Sequence, residues 1–315
     1  MELAKAAIAA IDANTDAVLV DYFATGWILP YLRRSLASSG KRPPTLVYVA
    51  HNHESTLRPR VAQQYSGNAL MKAALKFDAA KARRLEQKLV EASDLVTAIT
   101  DDDAELFRRN APGKRVVTLL PAYNGPVDAD WQITPATAKR VVMMGSFEWI
   151  AKQENLKRFA EAANEPFRAA GIELTIIGKV DSAFAESVRS QSPVCNFLGF
   201  VDNPESIIRD ARMGLMVDEM GGGFKLKYLD YIFRGLPVAS ISSQAVGLPL
   251  ILDDCMLLGS SAGDLVARVV DNIDDFNRLN EMKWRAYAGC RGKFDWPSRG
   301  AILRKAIEET RLAMP

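Results

Sequence analysis

A glycine run followed by two lysines carries the strongest chemical signal of this chain. Residues 213–217 (MGLMV) are typical of a buried strand, and the glycines of residues 221–223 come shortly after it. Glycines allow the backbone to approach a ligand closely and leave its N–H groups bare. Lys225 and Lys227 follow at the start of a predicted helix, so the stretch favours the binding of a phosphate or a diphosphate.

The helix predicted over residues 224–234 also has a purely structural interpretation. Spacings of three and four residues place Lys227, Asp230 and Arg234 on one face. The same charges suit a solvated helix, with a Lys227–Asp230 pair and Arg234 near the helix C-terminus. Residues 213–247 alone therefore leave an anion site and a solvated helix as alternatives.

A second strand end carries a glycine and a cation. Residues 141–144 form a predicted strand, Gly145 follows it, and Lys152 lies at the opening of the next predicted helix. This arrangement also favours an anion. The chain has neither a G-x-G-x-x-G pattern after a strand nor a G-x-x-x-x-G-K-S/T pattern, so the markers of dinucleotide and P-loop sites are missing.

Both histidines of the chain follow another predicted strand. Residues 45–50 (TLVYVA) precede His51 and His53, and Glu54 is adjacent to them. A histidine at a strand end can bond a sugar hydroxyl or move a proton, or it can simply cap backbone groups. We expect His51 to be functional, with Glu54 available to orient either ring.

Two aspartate-rich segments resemble metal sites but have simpler explanations. Thr100 is suited to be a helix N-cap, and the aspartates of residues 101–103 then fill a first helical turn, where acidic side chains are favoured. Asp128 and Asp130 lie in a predicted linker. We therefore expect no metal site.

The predicted elements that position these residues alternate between helix and strand. Four predicted strands cover residues 17–20, 45–50, 95–99 and 116–120, and six more cover residues 141–144, 173–177, 194–198, 213–217, 237–241 and 256–258. An irregular segment with two prolines, residues 124–137, separates the two sets. The alternation predicts two α/β domains with doubly wound parallel sheets, whose ligands bind at the carboxyl ends of the strands.

Three helical segments complete the predicted architecture. Amphipathic helices are predicted over residues 262–285 and 298–312, and a long basic helix over residues 71–92. The basic helix has the composition of a membrane-surface helix. We expect a solvated scaffold helix instead, because Asp78, Glu86 and Glu91 interrupt its positive face.

Composition narrows the class of protein. The chain has 315 residues, of which 48% are hydrophobic and 25% charged, as expected for a globular protein of two domains. A net charge of +2 gives no argument for nucleic acid. Its three widely spaced cysteines form no disulfide framework, which favours a reducing compartment. We expect no secretory signal, because an acidic residue stands at position 2 and no long apolar run follows it, and the sequence has no apolar run of the roughly 20 residues that a membrane span needs.

Several segments, taken in order, resemble the donor-binding half of the retaining glycosyltransferases of family 4. They are GSFEWIAKQENLKRFAEAA, ELTIIGK, NFLGFVDNPESIIRDARMGLMV and GGGFKLKYLDYIFRGLPVASISSQAVGL. The segments ASDLVTAITDDDAELFRR and VVTLLPAYNG look like the end of that family's first domain, and KFDWPSRGAILRKAI looks like its closing helix. The resemblance covers most of the chain from His51 onward. It implies a GT-B fold, with two Rossmann-like, doubly wound domains facing a cleft.

The resemblance also implies roles for individual residues. Lys152 matches the family's cation on the donor diphosphate. His51 is similar to the first-domain histidine that approaches the donor sugar. Lys152 and His51 are therefore the expected catalytic residues. Asp230 matches the acidic residue that holds the nucleotide ribose. The expected donor-binding residues are Gly145, Gly221, Gly222, Gly223, Lys225, Lys227 and Asp230. Such enzymes use no metal and no other cofactor, since cations and helix N-termini stabilise the departing diphosphate.

Three features depart from the family's pattern. Gly222 stands in place of the first of two carboxylates, and Asp230 stands in place of the second. Phe147 and Glu148 occupy the region where an arginine is usual. The first domain also looks short at its N-terminus, which predicts an incomplete acceptor side.

From these observations we expect an incomplete first domain over residues 1–125, a linker over 126–137, a nucleotide-sugar domain over 138–290 and a closing helix over 291–315. The expected function is that of a hexosyltransferase, which moves a sugar from a nucleotide-sugar to a glycan or lipid-linked acceptor with retention of configuration, in polysaccharide or glycoconjugate synthesis. The first alternative is a truncated, catalytically silent relative with a binding or assembly role, and the second alternative is a nucleotide-sugar epimerase. We expect no nucleic-acid partner and a cytoplasmic location, with peripheral contact at the inner membrane face left open.

Overall fold

The computed structural model describes residues 2–12, 14–37, 43–65, 67–218 and 223–314. The chain divides into two compact units. The first unit consists of Met1–Ala122 together with Phe294–Pro315, and the second consists of Tyr123–Lys293.

Strands and helices alternate along the described chain. The strands are β1 (Ala17–Asp21), β2 (Thr45–Val49), β3 (Leu95–Ala98), β4 (Arg115–Thr118), β5 (Arg140–Met144), β6 (Glu173–Ile177), β7 (Cys195–Gly199), β8 (Met213–Met216), β9 (Val238–Ile241) and β10 (Met256–Gly259). The helices are α1 (Glu2–Ala9), α2 (Leu29–Ala37), α3 (Glu54–Gln64), α4 (Ala69–Ala92), α5 (Asp101–Asn110), α6 (Ile150–Ala170), α7 (Ser182–Gln191), α8 (Glu205–Arg209), α9 (Lys227–Phe233), α10 (Leu252–Cys255), α11 (Ala262–Asn272), α12 (Phe276–Cys290) and α13 (Trp296–Ala313). Short 3₁₀ helices span Phe23–Ile28 and Ser242–Gln244.

The first unit is built on a parallel sheet of four strands in the order β1-β2-β3-β4. Successive strand side chains point to opposite faces, so Tyr48 and Val96 join the core under α2 and α4, whereas Val47 and Leu95 pack against Ala306 of α13. Helices therefore cover both faces, as the continuous apolar strands require. The four predicted strands and their parallel arrangement are confirmed.

A helix that the sequence did not predict, α3, follows β2. Its polar composition and the internal Pro59 give it little helical periodicity. The side chain of Glu86 in α4 stabilises its start, because its two carboxylate oxygens accept hydrogen bonds from the backbone N–H groups of Glu54 (2.9 Å) and Ser55 (2.8 Å). Glu86 is buried, so this carboxylate is fully used inside the unit.

The second unit is built on a parallel sheet of six strands in the order β10-β9-β8-β5-β6-β7. The chain enters at β5, moves outward to β6 and β7, and then returns to β8 on the other side of β5. The direction of winding therefore changes between β5 and β8, which is the place where doubly wound sheets bind ligands. The six predicted strands are confirmed, and with them the mixed α/β class.

The segment expected to link the two domains belongs to the second unit. The backbone N–H of Asp128 donates to the carbonyl of Phe233 (2.7 Å), and the indole N–H of Trp131 donates to the carbonyl of Arg234 (2.8 Å). Lys283 of α12 donates to the carbonyls of Ala129 and Trp131. The segment lacks periodicity because these bonds hold it as irregular backbone on a folded surface.

The end of the chain also differs from the prediction. The single helix expected over residues 262–285 is divided into α11 and α12. Asp275 causes the break, since its side chain accepts a hydrogen bond from the backbone N–H of Arg278 (3.0 Å) and caps the new helix. The helix predicted over residues 298–312 is observed as α13 and packs in the first unit. In the described part of the chain, no helix has the length and apolar character needed to cross a bilayer.

Candidate functional site

The carboxyl ends of β5 and β8 bring together groups that are far apart in the sequence. Gly145 follows β5 directly, and Asp218 lies two residues beyond β8. The two strands are neighbours, with Val141 opposite Met213 and Val142 opposite Gly214. The first turns of α6 and α9 stand behind these strand ends, so residues of four elements share one edge of the sheet.

Lys152, in the first turn of α6, forms an ion pair with Asp218. Its Nζ lies 2.6 Å from each carboxylate oxygen of Asp218. Asn155, one turn further along α6, places its side-chain amide nitrogen 3.3 Å from the Oδ1 atom of the same carboxylate. Asp218 is buried, and this carboxylate is a strong acceptor for the lysine because little water reaches it.

Lys225 and Lys227 lie at the same sheet edge. Burial lowers the pKa of each ammonium to about 8, and the charge of Lys152 lowers the pKa of both lysines further. The carboxylate of Asp218 opposes this decrease at both positions. Three lysines thus face one carboxylate, which leaves a surplus of positive charge that favours a multiply charged anion.

Gly145 provides the room that Lys227 occupies. A Cβ atom at this position would lie 2.6 Å from the Nζ atom of Lys227. Gly178, which follows β6, is more tightly constrained, because its φ is 130° and a Cβ there would lie 1.7 Å from the backbone carbonyl oxygen of Gly145. The predicted site residue Gly145 is therefore held between a lysine and a second glycine, and the sequence reasoning missed Gly178.

Tyr231 fixes α9, and with it Lys227 and Asp230, against the sheet. Its ring packs on Gly214 of β8, where a Cβ would lie 2.7 Å from the ring. Its hydroxyl accepts a hydrogen bond from the backbone N–H of Met144 (2.9 Å) at the end of β5. The helix begins at Lys227, three residues later than the sequence predicts.

Asp230 lies one turn after Lys227 on α9, near the irregular segment that opens the second unit. Burial raises the pKa of its carboxyl, while the Arg234 guanidinium, the Tyr123 hydroxyl and the Lys227 ammonium oppose this increase. Tyr123 in turn stacks on Phe233, with ring centroids 4.7 Å apart. Asp230 therefore has acceptor capacity beside an aromatic platform, an arrangement suited to a polar ring such as a ribose.

The sequence of the second unit matches a known family. The model described as "Glycosyl transferases group 1" matches residues 138–275, which contain β5, β8, α9 and the three lysines. This segment is therefore similar to the glycosyltransferases of group 1. No curated protein matches the chain by sequence.

Solved structures extend the likeness from residues 138–275 to almost the whole chain. TarM of S. aureus shares 10% identity at a TM-score of 0.71, over 98% of this chain and 57% of TarM. Sucrose-phosphate synthase from Thermosynechococcus elongatus shares 14% identity at a TM-score of 0.73, over 99% of this chain and 77% of its own. HepE from Anabaena, solved with UDP and glucose, shares 12% identity at a TM-score of 0.66, over 98% and 80%. The chain thus has a GT-B type fold and spans little more than half the length of TarM.

In the first unit, His51 is paired with an aspartate that the sequence reasoning missed. Its Nε2 atom lies 2.7 Å from the Oδ1 atom of Asp21, the last residue of the neighbouring strand β1. Tyr22 adopts a positive φ of 69° and places its ring 5.6 Å from the imidazole. Such a backbone angle is uncommon for a bulky residue, and it is compatible with a functional loop.

The neighbouring residues His53 and Glu54 have structural roles instead. His53 is buried, with Nδ1 2.7 Å from the hydroxyl of Thr56 and Nε2 3.0 Å from the side-chain nitrogen of Asn110. Burial lowers the pKa of its imidazole. Glu54 forms an ion pair with Arg58. The carboxylate that pairs with His51 is that of Asp21 and not that of Glu54, contrary to the prediction.

The structure leaves part of the predicted site undescribed. Gly221 and Gly222 lie outside the described residues, whereas Gly223 is described and has a positive φ of 70°. Thr100 caps α5 as expected, because its hydroxyl accepts from the backbone N–H of Asp103 (3.1 Å). In the described ranges, no group of three His, Cys, Asp or Glu side chains has an arrangement that would hold a metal ion.

Proposed function

We propose that the protein is a glycosyltransferase that takes its sugar from a nucleotide-sugar. The observation that carries the proposal is the cluster of Lys152, Lys225 and Lys227 around the strand ends of a segment that is similar to the glycosyltransferases of group 1. A nucleoside diphosphate is the leaving group of such a reaction and gains negative charge as the bond to the sugar breaks. Cations held in a partly dehydrated site stabilise that charge more strongly than cations in water.

Each of the site residues has a role in this proposal. Lys152, Lys225 and Lys227 hold the diphosphate, and Gly145 with the glycines of residues 221–223 leaves room for it. Asp230 binds the ribose hydroxyls. His51, oriented by Asp21, acts on the donor sugar. No metal or other cofactor is included.

The bond between the anomeric carbon and the diphosphate oxygen breaks, and the nucleoside diphosphate leaves with the electron pair. The oxygen of an acceptor hydroxyl bonds to the anomeric carbon and gives its proton to an oxygen of the departing diphosphate. We propose that the configuration at the anomeric carbon is retained and that the acceptor is a glycan or a lipid-linked molecule. A lipid-linked acceptor would bring the enzyme to a membrane. We propose that the donated sugar is a hexose and that the reaction takes place in the cytoplasm. Its product is a polysaccharide or a glycoconjugate.

Nucleotide binding tests the first half of the proposal. The protein is titrated calorimetrically with UDP, GDP and ADP, and then with the corresponding nucleotide-sugars. We expect one nucleotide to bind and Lys152→Ala to weaken it strongly. Lys157→Ala is the matched control, because Lys157 lies on the same helix with an exposed side chain paired to Glu161. A folded protein that binds none of the nucleotides contradicts the proposal.

Turnover separates the proposal from a catalytically silent relative. The replacement of a family carboxylate by Gly222 favours that alternative. Release of nucleoside diphosphate from a nucleotide-sugar, abolished in Lys152→Ala and kept in Lys157→Ala, excludes it. Conversion of the donor without any acceptor would instead indicate an epimerase. The anomeric configuration of the product, read by NMR, tests retention.

A further inference from the structure

Lys283 of α12 is a buried cation of the second unit. Its side chain is 4% exposed, and its ammonium donates to the carbonyls of Ala129 (3.1 Å) and Trp131. The ammonium also lies 4.6 Å from the ring centroid of Trp131. Asp128 and Asp130 act on it only from a distance, since neither forms an ion pair with Lys283 in the described part of the chain.

Burial of this ammonium has a free-energy cost. Burial lowers the pKa of Lys283 to about 8, and the carboxylates of Asp130 and Asp128 only partly oppose this decrease. A methionine would fill a similar volume without dehydrating a charge. What the lysine adds is a pair of directed hydrogen bonds, and these bonds fix the backbone of residues 129–131.

The segment that Lys283 holds also caps the C-terminus of α9. The backbone N–H of Asp128 donates to the carbonyl of Phe233 (2.7 Å), and the indole N–H of Trp131 donates to the carbonyl of Arg234 (2.8 Å). Carbonyls at a helix C-terminus have no partner inside the helix, so these two bonds satisfy groups that α9 cannot satisfy by itself. Residues 128–131 are therefore bonded on one side to Lys283 and on the other side to α9.

The position of α9 depends on such external contacts. The helix has only seven residues, which is too short to be stable alone in water. Tyr231 fixes its side to the end of β5, and residues 128–131 fix its end. The approach at that end is close, because a Cβ at Gly235 would lie 2.8 Å from the Cα atom of Ala129. Asp230 lies one turn before this capped end.

We propose that Lys283 is a positioning residue of the nucleotide site, which acts through residues 128–131 to hold α9 and its Asp230 in place. Without the ammonium, the carbonyls of Ala129 and Trp131 lose their donor, and the segment that caps α9 loosens. The inference rests on the proposed function in one respect, since that function assigns the ribose to Asp230. The coupling from Lys283 to α9 does not depend on it.

Hydrogen exchange of the protein without ligand tests the coupling. Lys283→Met replaces the ammonium by an apolar group of similar length, and Lys283→Gln is a second variant with a shorter, neutral donor. Trp131→Phe removes only the indole N–H. We expect the amides of residues 230–236 to exchange about tenfold faster in Lys283→Met, and faster to a smaller degree in the other two variants.

Asn280→Ala is the matched control. Asn280 lies one turn before Lys283 on α12 and binds the same irregular segment, because its side chain accepts from the N–H of Ile133 (2.9 Å) and donates to its carbonyl (2.8 Å). These bonds lie beyond the residues that are bonded to α9. We expect Asn280→Ala to leave exchange in residues 230–236 within about twofold of the parent. Equal acceleration in the control and in the Lys283 variants would reveal a general loss of stability and overturn the proposal.

Two ligands then separate the ribose from the diphosphate. Inorganic pyrophosphate can contact Lys152, Lys225 and Lys227 but has no ribose for Asp230. We expect Lys283→Met to weaken the nucleoside diphosphate that the parent binds about tenfold and to change pyrophosphate affinity less than about twofold.

Calorimetric titration with UDP, GDP, ADP and pyrophosphate gives this comparison. Equal losses for both kinds of ligand, or parental nucleoside diphosphate affinity in a folded Lys283→Met protein, would overturn the positioning role. A parent protein that binds pyrophosphate but no nucleoside diphosphate would contradict the proposed function instead, and hydrogen exchange would still decide whether Lys283 holds α9.

Discussion

The ammonium of Lys152 lies 2.6 Å from both carboxylate oxygens of Asp218, in a sheet edge that also holds Lys225 and Lys227. This pair has two opposite consequences. The carboxylate stabilises a cluster of like charges in the protein without ligand, and it competes with any diphosphate for Lys152. Stability and nucleotide affinity are therefore expected to respond to Asp218 with opposite signs.

Asp218→Asn tests these two consequences together. We expect the free energy of unfolding to fall by roughly 2 kcal/mol, because the three lysines lose their buried counter-charge. Affinity for the nucleoside diphosphate that the protein binds should rise about tenfold, since the competing charge is gone. The measurements are urea unfolding and calorimetric titration. Asp210→Asn, which removes an exposed partner of Arg140, is the control and should change neither quantity strongly. A loss of both stability and affinity would mean that Asp218 positions Lys152 for the ligand.

The pKa values of Lys225 and Lys227, each lowered to about 8, predict a pH-dependent affinity. Below pH 7 both ammonium groups are charged, so these two lysines add no pH dependence to the affinity for a diphosphate. Above pH 8 binding must take up protons, so each lysine adds up to about a tenfold loss for each pH unit. Folding stability changes in the other direction. It rises between pH 8 and 10.5, because the unfolded lysines, with a pKa of 10.5, still bind protons there.

Calorimetry in two buffers of different ionisation enthalpy measures the proton uptake directly. Lys227→Arg is the matched variant, because a guanidinium stays charged over this range. We expect it to reduce proton uptake at pH 8.5, by the share that Lys227 contributes. An affinity that is flat from pH 7 to pH 9 in the parent protein would show that neither lysine contacts the nucleotide.

The sequence predicted the strands well and the site only in part. Short apolar runs such as β5 and β8 are recognisable by themselves, and parallel sheets place their ends at one edge. Gly145, Lys152 and Lys227 follow such runs closely, and the structure brings them together. Asp218 is separated from Lys152 by 66 positions, and no local pattern connects them. Glu86 shows the same limit, because its burial under α3 depends on a helix with almost no apolar periodicity.

Two glycines with positive φ offer a matched test of the sheet edge. A Cβ at Gly178, where φ is 130°, would strike the carbonyl of Gly145, whereas a Cβ at Gly171, where φ is 66°, meets nothing within 4 Å. We expect Gly171→Ala to cost about 1 kcal/mol of stability, from its left-handed backbone alone. Gly178→Ala should cost roughly 3 kcal/mol or more, since strain and a backbone clash combine.

Urea unfolding of the two glycine variants gives the comparison. Gly178→Ala should also weaken nucleoside diphosphate binding, because the backbone at Gly145 must shift beside Lys227. Gly171→Ala should leave nucleoside diphosphate binding unchanged. If both variants lose the same stability, the short distance from Gly178 to the Gly145 carbonyl does not constrain the strand ends.

The two histidines are predicted to differ in kind. His51 is exposed and paired with Asp21, whereas His53 is buried and bonded to Thr56 and Asn110. His51→Ala should lower the rate of sugar transfer by about a hundredfold, within the range for a positioned polar group, without changing stability. Nucleoside diphosphate affinity should stay constant, because the proposed nucleotide contacts all lie in the second unit. Asp21→Asn should have a smaller effect of the same sign, since it keeps a hydrogen-bond acceptor for the imidazole.

His53→Ala should have the reverse effect. Its loss leaves Thr56 and Asn110 without their buried partner, which costs roughly 2 kcal/mol of stability. Transfer measured per folded molecule at low temperature should remain that of the parent, because His53 has no part in the proposed chemistry. Rates, thermal midpoints and nucleoside diphosphate titrations of the three variants separate these outcomes. A His51→Ala protein with parental turnover would remove the first unit's histidine from the mechanism and leave the lysine cluster of the second unit as the whole proposed catalytic apparatus.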